Sequence, residues 1–147
     1  MREENQTQLH PTKTDYETRI DAFERVFGRI NRGTEGYVEN EAGTVAFVYE
    51  WNGSYVIPKH FVDSISHRTD RINKYDDKSV ALISDTKSRV VLSTKYLHKI
   101  QTMTGYDFWE EPEYILMAKR NDNPVVIPDS NSDGKILVAP KIMPGGW

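Results

Sequence analysis

The chain has 147 residues, a formal net charge of −3 and no cysteine. A chain of this length fits one domain that can fold without disulfides or metals, and the lack of cysteine excludes thiolate nucleophiles and cysteine-ligated metal sites. The weak negative charge argues against a protein that coats a polyanion with its whole surface. Because no apolar run reaches the length of a membrane span and no secretory signal is visible, we expect no membrane partner and a cytoplasmic location.

The strongest helix signal follows a polar N-terminal stretch. Residues 1–13 carry no periodic apolar set, so we expect a disordered arm and then a single domain over residues 14–147. Apolar residues then recur at spacings of 4, 3, 4 and 3 on one helical face. They are Tyr16, Ile20, Phe23, Phe27 and Ile30. Thr14 and Glu17 fit a capping box, and Gly33 fits the C-terminal stop, so the pattern predicts an amphipathic helix.

Three antiparallel β-hairpins are predicted at a spacing of 35 residues. The first joins residues 45–51 to 54–57 across Asn52-Gly53, the dipeptide that best fits a type I′ turn. The aligned strands are residues 45–48 with 55–57, 80–83 with 90–92, and 115–118 with 125–127. We interpret them as a repeated hairpin with helices between the copies; the alternative is regular spacing by chance.

The intervening helices are predicted at residues 59–73 and 94–104, the second ending at Gly105, and a short strand is predicted at residues 135–139. Both faces of the hairpin strands are apolar, and such strands require cover on both faces. Helices, curling of the sheet on itself or a second subunit would each provide it. The predicted fold class is therefore α+β, with three hairpins in a sheet that is covered on both faces or partly closed.

The sharpest local motif lies at residues 129–136, which match the first eight positions of an EF-hand-type calcium loop. Asp129, Asn131 and Asp133 would supply alternate oxygen ligands. The twelfth position, which carries a bidentate Glu in such loops, is Pro140, and no helical pattern flanks the motif. Calcium binding is one interpretation, and an Asx-rich turn between two strands is the other.

A second candidate metal site depends on the helix predicted at residues 59–73. Four residues would share one of its faces: His60, Asp63, His67 and Asp70. Imidazole and carboxylate ligands suit a transition metal or acid–base catalysis, which gives a metal-dependent hydrolase as the third functional hypothesis. Charged residues on an exposed helix face are the ordinary alternative. The standard phosphate-loop, dinucleotide and serine-hydrolase motifs are absent, so a non-enzymatic role is favoured.

Basic residues are spread over the second and third hairpins and the helix between them. They are Lys87, Arg89, Lys95, Lys99, Lys119 and Arg120. Polar β-ribbons with such residues can follow a phosphate backbone, which gives the second hypothesis, a nucleic-acid-binding accessory protein. Acidic residues are interleaved with them, and an ordinary surface of mixed sign is the alternative.

Three aromatic residues are placed where they would contact a partner. Trp51 and Tyr55 flank the first turn, and Trp109 lies in an acidic connector, which we define as residues 106–113. Trp and Tyr are enriched among the residues that carry the energy of protein interfaces. The leading hypothesis is therefore a non-enzymatic interaction module that binds a protein partner or another copy of itself.

Overall fold

The computed structural model describes residues 13–33, 36–49, 65–86, 88–118 and 123–141. In these ranges the helices are α1 (Lys13–Phe27) and α2 (Thr94–Thr104), with a 3₁₀ turn at Pro112–Tyr114. The strands are β1 (Ile30–Arg32), β2 (Tyr37–Asn40), β3 (Val45–Val48), β4 (Ile65–Asp76), β5 (Ser79–Ser84), β6 (Arg89–Ser93), β7 (Leu116–Ala118), β8 (Val125–Pro128) and β9 (Lys135–Val138).

All of these strands form one antiparallel sheet in the order β1-β2-β3-β9-β8-β7-β4-β5-β6. The α+β class is confirmed. The sheet is open, with β1 and β6 at its edges. The segment that follows β9 nevertheless reaches the far edge, because Lys141 donates its backbone N–H to the Val91 carbonyl of β6 over 2.8 Å.

The central strands of the sheet are buried on both faces within one chain. The helices cover one face, where they join the strands in the main core. The helical members include Tyr16, Ile20, Phe23, Leu97 and Ile100. A smaller buried cluster comprises Ala46, Val48, Val126 and Leu137. These residues alternate along their strands with members of the main core and therefore point to the opposite face. The expectation of cover on both faces is confirmed at the centre of the sheet.

The first helix ends earlier than the periodicity predicts. It stops at Phe27, and Gly28 takes a left-handed conformation with φ of +83° while donating its N–H to the Glu24 carbonyl. Glycine adopts this conformation without a steric penalty, so it ends the helix here rather than at Gly33. Ile30 belongs to β1, where it still packs against the main core, which explains why it fitted the helical stripe.

The helix predicted at residues 94–104 and the second and third hairpins are confirmed. Helix α2 spans the predicted residues, and Gly105, with φ of +84°, donates its N–H to the Gln101 carbonyl over 2.7 Å. Strand β5 pairs with β6, β7 pairs with β8, and β9 occupies the predicted C-terminal strand. The N-terminal arm predicted over residues 1–13 lies, apart from Lys13, outside the described residues.

Of the first predicted hairpin, the strand at Val45–Val48 is confirmed. Val45–Val48 pairs with β2 on one side and with β9 on the other, so both of its edges are occupied. The turn at Asn52-Gly53 and the return strand predicted at residues 54–57 lie within residues 50–64, outside the described ranges. Strands β5 and β7 pair with the strands that follow them, whereas β3 does not, so the first unit of the 35-residue pattern is not structurally equivalent to the others.

The helix predicted at residues 59–73 is wrong from residue 65 onward, because β4 is a strand of twelve residues paired with β5 and β7. Ile72 packs against the main core, and Thr69 is buried with its hydroxyl donating to the Ile115 carbonyl over 2.9 Å. Three register shifts interrupt the alternation of β4, two in its pairing with β5 and one in its pairing with β7, and they hide its period of two in the sequence.

A tight turn that the sequence analysis missed joins β4 to β5. Asp76 pairs with Ser79 across the two residues Asp77 and Lys78. The Lys78 backbone N–H donates to Asp76 Oδ1 over 2.9 Å, the bond of an Asx turn. Asp76 ends a polar run, and the apolar β5 begins three residues later, so this change in composition was the signal available for the hairpin.

Candidate functional site

The acidic connector links α2 to β7 and concentrates the negative charge of the chain. Four of its residues are exposed carboxylates: Asp107, Glu110, Glu111 and Glu113. No Lys or Arg occurs between residues 100 and 118. Because the whole chain has a net charge of −3, the rest of the chain carries a net charge of +1. The connector therefore carries a local excess of negative charge.

Buried contacts hold the connector in one conformation. Phe108 is fully buried, and its N–H donates to Gln101 Oε1 of α2 over 3.0 Å. The Tyr106 hydroxyl donates to the Pro128 carbonyl of β8 over 2.8 Å. Asp107 Oδ1 accepts the Trp109 N–H over 3.2 Å, so even an exposed carboxylate helps to fix the backbone. Contacts within the chain therefore fix the backbone of the connector.

Two aromatic rings remain partly exposed on this ordered segment. The Trp109 residue is 42% exposed, and its ring lies 5.3 Å from the ring of His98 on α2 at an angle of 38°. Tyr114, directly after the connector, is 38% exposed and stacks on Tyr106 with the ring centroids 4.3 Å apart. Burial first, and then the charges of Asp129 and Tyr114, raise the pKa of the Tyr106 phenol, so that ring stays neutral at physiological pH.

Of the three aromatics predicted to contact a partner, Trp109 is in the described part of the chain. It lies at the surface, as the sequence predicts. Trp51 and Tyr55 lie outside the described residues. Tyr114 and His98 are the neighbouring aromatic rings that the sequence analysis did not select. Tyr114 directly follows the acidic residues of the connector, and that position could have identified it from the sequence. His98 lies on α2, so no pattern within the connector could identify it.

The predicted calcium loop is held by an arginine. Arg19 of α1 binds the Asp129 carboxylate through Nε at 2.8 Å and Nη2 at 2.7 Å, and the Asp129 side chain is fully buried. The Ser132 hydroxyl donates to the same carboxylate over 2.7 Å. Asn131 and Asp133 are exposed on the loop. This geometry favours the Asx-rich turn, and calcium binding here stays a prediction.

Arg19 also fixes the loop to the end of α2. Its Nη2 donates to the Met103 carbonyl over 3.0 Å, and the Ser130 hydroxyl donates to the Thr104 carbonyl over 2.6 Å. We call the group of Arg19 and Asp129 the arginine clamp. It joins α1, α2 and the β8–β9 loop, and it depends on two residues that are 110 positions apart, which no local motif reveals.

The second predicted metal site loses its geometric basis, because residue 67 lies on a strand rather than a helix. His67 pairs with Met117 of β7, and His60 and Asp63 lie outside the described ranges. Within those ranges, no three His, Asp or Glu side chains are grouped as metal ligands. The described helices are also too short or too polar to cross a membrane.

The predicted basic residues do not share one face. Arg89 pairs with Ile83 on the face opposite the helices, whereas Lys95 and Lys99 lie on α2. Lys87, Lys119 and Arg120 lie outside the described residues. Instead, Arg71 of β4 joins Arg89, because both flank Ile83 in one row across three strands. We call Arg71, Ile83 and Arg89 the arginine row.

No protein-family model matches this chain, and neither a curated protein nor a solved structure matches it.

Proposed function

We propose that this protein is a non-enzymatic interaction module that binds a basic segment of a protein partner at the acidic connector. The observation that carries the proposal is the presentation of Trp109. Its residue is 42% exposed on a backbone that buried Phe108 holds in place, and four exposed carboxylates surround it in the chain. Large aromatic residues on rigid segments are typical anchors of protein interfaces.

The chemistry of the connector selects for a cationic occupant. A Lys or Arg side chain can place its charge over the face of an indole ring, an interaction of about 0.5–2 kcal/mol. The same cation can pair with Glu110 or Glu111 at the rim, where such pairs mainly accelerate encounter and add little affinity. Affinity is therefore expected from the rings, and selectivity for a basic segment from the carboxylates.

A different protein is favoured over a second copy as the occupant. The apolar strands, which had indicated a missing subunit, are buried on both faces within one chain. The remaining reason for self-association is the arginine row, which a second copy would bring to the acidic connector. Sedimentation of the isolated protein tests this alternative, since a monomer at high micromolar concentration contradicts it.

Selection from a random-peptide display library on the full chain tests the proposal. The selected peptides should be enriched in Lys and Arg, and Trp109→Ala should weaken their binding at least about tenfold, a change of about 1.4 kcal/mol. Exchanging Glu110 and Glu111 for Lys should slow association and remove most of its dependence on salt.

Tyr75→Ala provides a matched control, because Tyr75 is 40% exposed but lies on β4, away from the connector in sequence. This variant should bind the selected peptides as the wild type does. Peptides without enriched positive charge, or equal losses from Tyr75→Ala and Trp109→Ala, contradict binding at the acidic connector.

Nucleic-acid binding remains a second candidate, and the arginine row is the observation that favours it. Arg71 and Arg89 are separated by one strand, which corresponds to about 10 Å across the sheet. Arg68, paired with Leu116 on the same face, adds a third cation beside the row. Exposed arginines at this spacing can contact successive phosphates of a single strand.

Fluorescence anisotropy with a labelled oligothymidylate tests this candidate. Binding should weaken steeply as salt increases, and Arg71→Ala with Arg89→Ala should reduce the salt slope by one to two contacts, about 0.7 per phosphate for a single strand. The absence of binding at low salt would remove the candidate, and it would leave the proposal for the acidic connector unaffected.

A further inference from the structure

A cavity of about 300 Å³ lies between the two helices and the turn that joins β2 to β3. Its lining comes from the end of α1, from that turn and from one face of α2. The lining residues are Phe27, Asn40, Glu41, Ala42, Lys95, Tyr96 and Lys99. This volume is at the lower end of the range for small-molecule sites. Neither the acidic connector nor the arginine row contributes to it.

The walls of the cavity are fixed by internal bonds. The Phe27 and Tyr96 rings meet with centroids 6.1 Å apart at an angle of 51°, and the Tyr96 hydroxyl shares a hydrogen bond of 2.7 Å with the Thr44 hydroxyl. Lys99 donates to the Val26 carbonyl over 2.8 Å, and its ammonium lies 5.6 Å from the centroid of the Phe27 ring. A ligand would therefore enter a cavity that is already formed, between aromatic rings.

The polar groups of the cavity favour an anionic ligand. Lys95 and Lys99 are one helical turn apart and so lie on the same side of α2, and Glu41 is the single carboxylate among the lining residues. Within the described part of the chain, the Lys95 ammonium forms no ion pair. Two ammonium groups against one carboxylate leave a net positive charge at the rim.

Asn40 adds a donor that is almost entirely buried, since only 6% of the residue is exposed. Its Oδ1 accepts the backbone N–H groups of Thr44 and Val45 over 2.8 and 3.0 Å. Its Nδ2 donates one hydrogen to Thr44 Oγ1 over 3.1 Å. An amide nitrogen carries two hydrogens, and this bond uses one of them, so the Asn40 amide can donate the other to an acceptor on a ligand.

We infer that this cavity binds a small carboxylate with an aromatic body. The ring of the ligand would lie against Phe27 and Tyr96, and its carboxylate would be held by Lys95 and the Asn40 amide. Glu41 would oppose the carboxylate and limit the affinity. A ligand of this size is expected to bind with a dissociation constant of about 1 mM.

Phenylpropionate is the probe, and backbone amide NMR of the full chain at constant ionic strength is the measurement. Saturable shifts are expected at residues 40–42 and 95–99. Phenylpropionamide, which has the same body without the charge, should bind at least about fivefold more weakly. Acetate, which has the charge without the ring, should produce no saturable shift at the same concentrations.

Three variants complete the test. Lys95→Ala should weaken phenylpropionate binding about fivefold, and Glu41→Gln should strengthen it about twofold. Lys74→Ala is the matched control, because Lys74 is a strongly exposed lysine on β4, and it should leave binding unchanged. The inference is overturned if the shifts are absent or spread over other elements, if the amide binds as well as the acid, or if Lys95→Ala and Lys74→Ala behave alike.

Discussion

Replacing Arg19 by methionine would break the arginine clamp while keeping the length of the side chain. The Asp129 carboxylate, fully buried, would then keep the Ser132 hydroxyl but lose both guanidinium bonds, which are 2.8 and 2.7 Å long. Removing one partner of a buried ion pair leaves an uncompensated charge and costs about 3–5 kcal/mol. We therefore expect Arg19→Met to lower the free energy of unfolding by an amount in that range.

Urea unfolding of the variant, followed by tryptophan fluorescence, measures this change. Arg32→Met is the matched control. Arg32 on β1 pairs with Glu17 of α1, the helix that carries Arg19, at 3.3 Å, but the two side chains are 51% and 40% exposed. Exposed pairs contribute about 0–1 kcal/mol. The double variant Arg19→Met with Asp129→Asn should lose less stability than Arg19→Met alone, because the buried charge is gone.

Two results would refute the reasoning about the clamp. One is a loss from Arg19→Met no greater than that from Arg32→Met. The other is a rise in the melting temperature of the wild type on addition of calcium that Asp133→Ala abolishes, since a ligand that binds the folded state raises its stability. That second result would restore the calcium interpretation of the loop.

Further predictions concern close packing, backbone conformation and pH. Gly134→Ala should cost about 1–3 kcal/mol in urea unfolding, because its Cβ would lie 2.5 Å from the ring of buried Phe47; no loss would contradict this contact. Gly105→Ala should cost about 1–2 kcal/mol from its left-handed φ alone, since nothing lies within 4 Å of the new Cβ. Burial is the first cause that raises the pKa of Tyr37 and Tyr106 above 10.0. The stability that these tyrosines contribute is therefore fully present below about pH 10, and it falls at higher pH because the tyrosines of the unfolded chain ionise before those of the folded chain. Tyr106→Phe should reduce the difference between the urea midpoints measured at about pH 9 and about pH 11.

Elements whose signals are local were predicted correctly from the sequence. Helix α2 needed only its apolar spacing and the glycine that follows it, and Gly105 takes the left-handed conformation expected of a helix stop. The β5–β6 and β7–β8 pairs are formed by strands close in the chain, with apolar residues on both faces. In each case the residues that determine the element lie within it or next to it.

Elements that depend on distant partners were not predictable in the same way. The sequence offered only partners close in the chain for β3, whereas β3 pairs with β9, about ninety positions further along. The polar β4 is a strand because the apolar β5 and β7 flank it, and its three register shifts remove the alternation that would reveal it. Pairing energy, rather than local propensity, decides both cases.

The candidate site likewise contains residues that local sequence identifies and residues whose role depends on distant partners. Trp109 and its neighbouring carboxylates are contiguous in the sequence, so the composition of the connector was enough to select them. The calcium motif at residues 129–136 is equally local, yet the fate of Asp129 is decided by Arg19, which the motif does not contain. A motif of alternating oxygen ligands cannot by itself report which cation, a metal or a guanidinium, neutralises its first carboxylate.

The central position of β9 has a consequence for the order in which the fold assembles. Val45–Val48 and Val125–Pro128 both pair with β9, so neither strand has its partner on that side until residues 135–138 are in place. Contacts between such distant parts of a chain are slow to form, because a long loop must close first. During synthesis, β1, β2 and β3 would therefore leave the ribosome with an unpaired apolar edge, and β9, which joins β3 to β8, is made only after the other described strands.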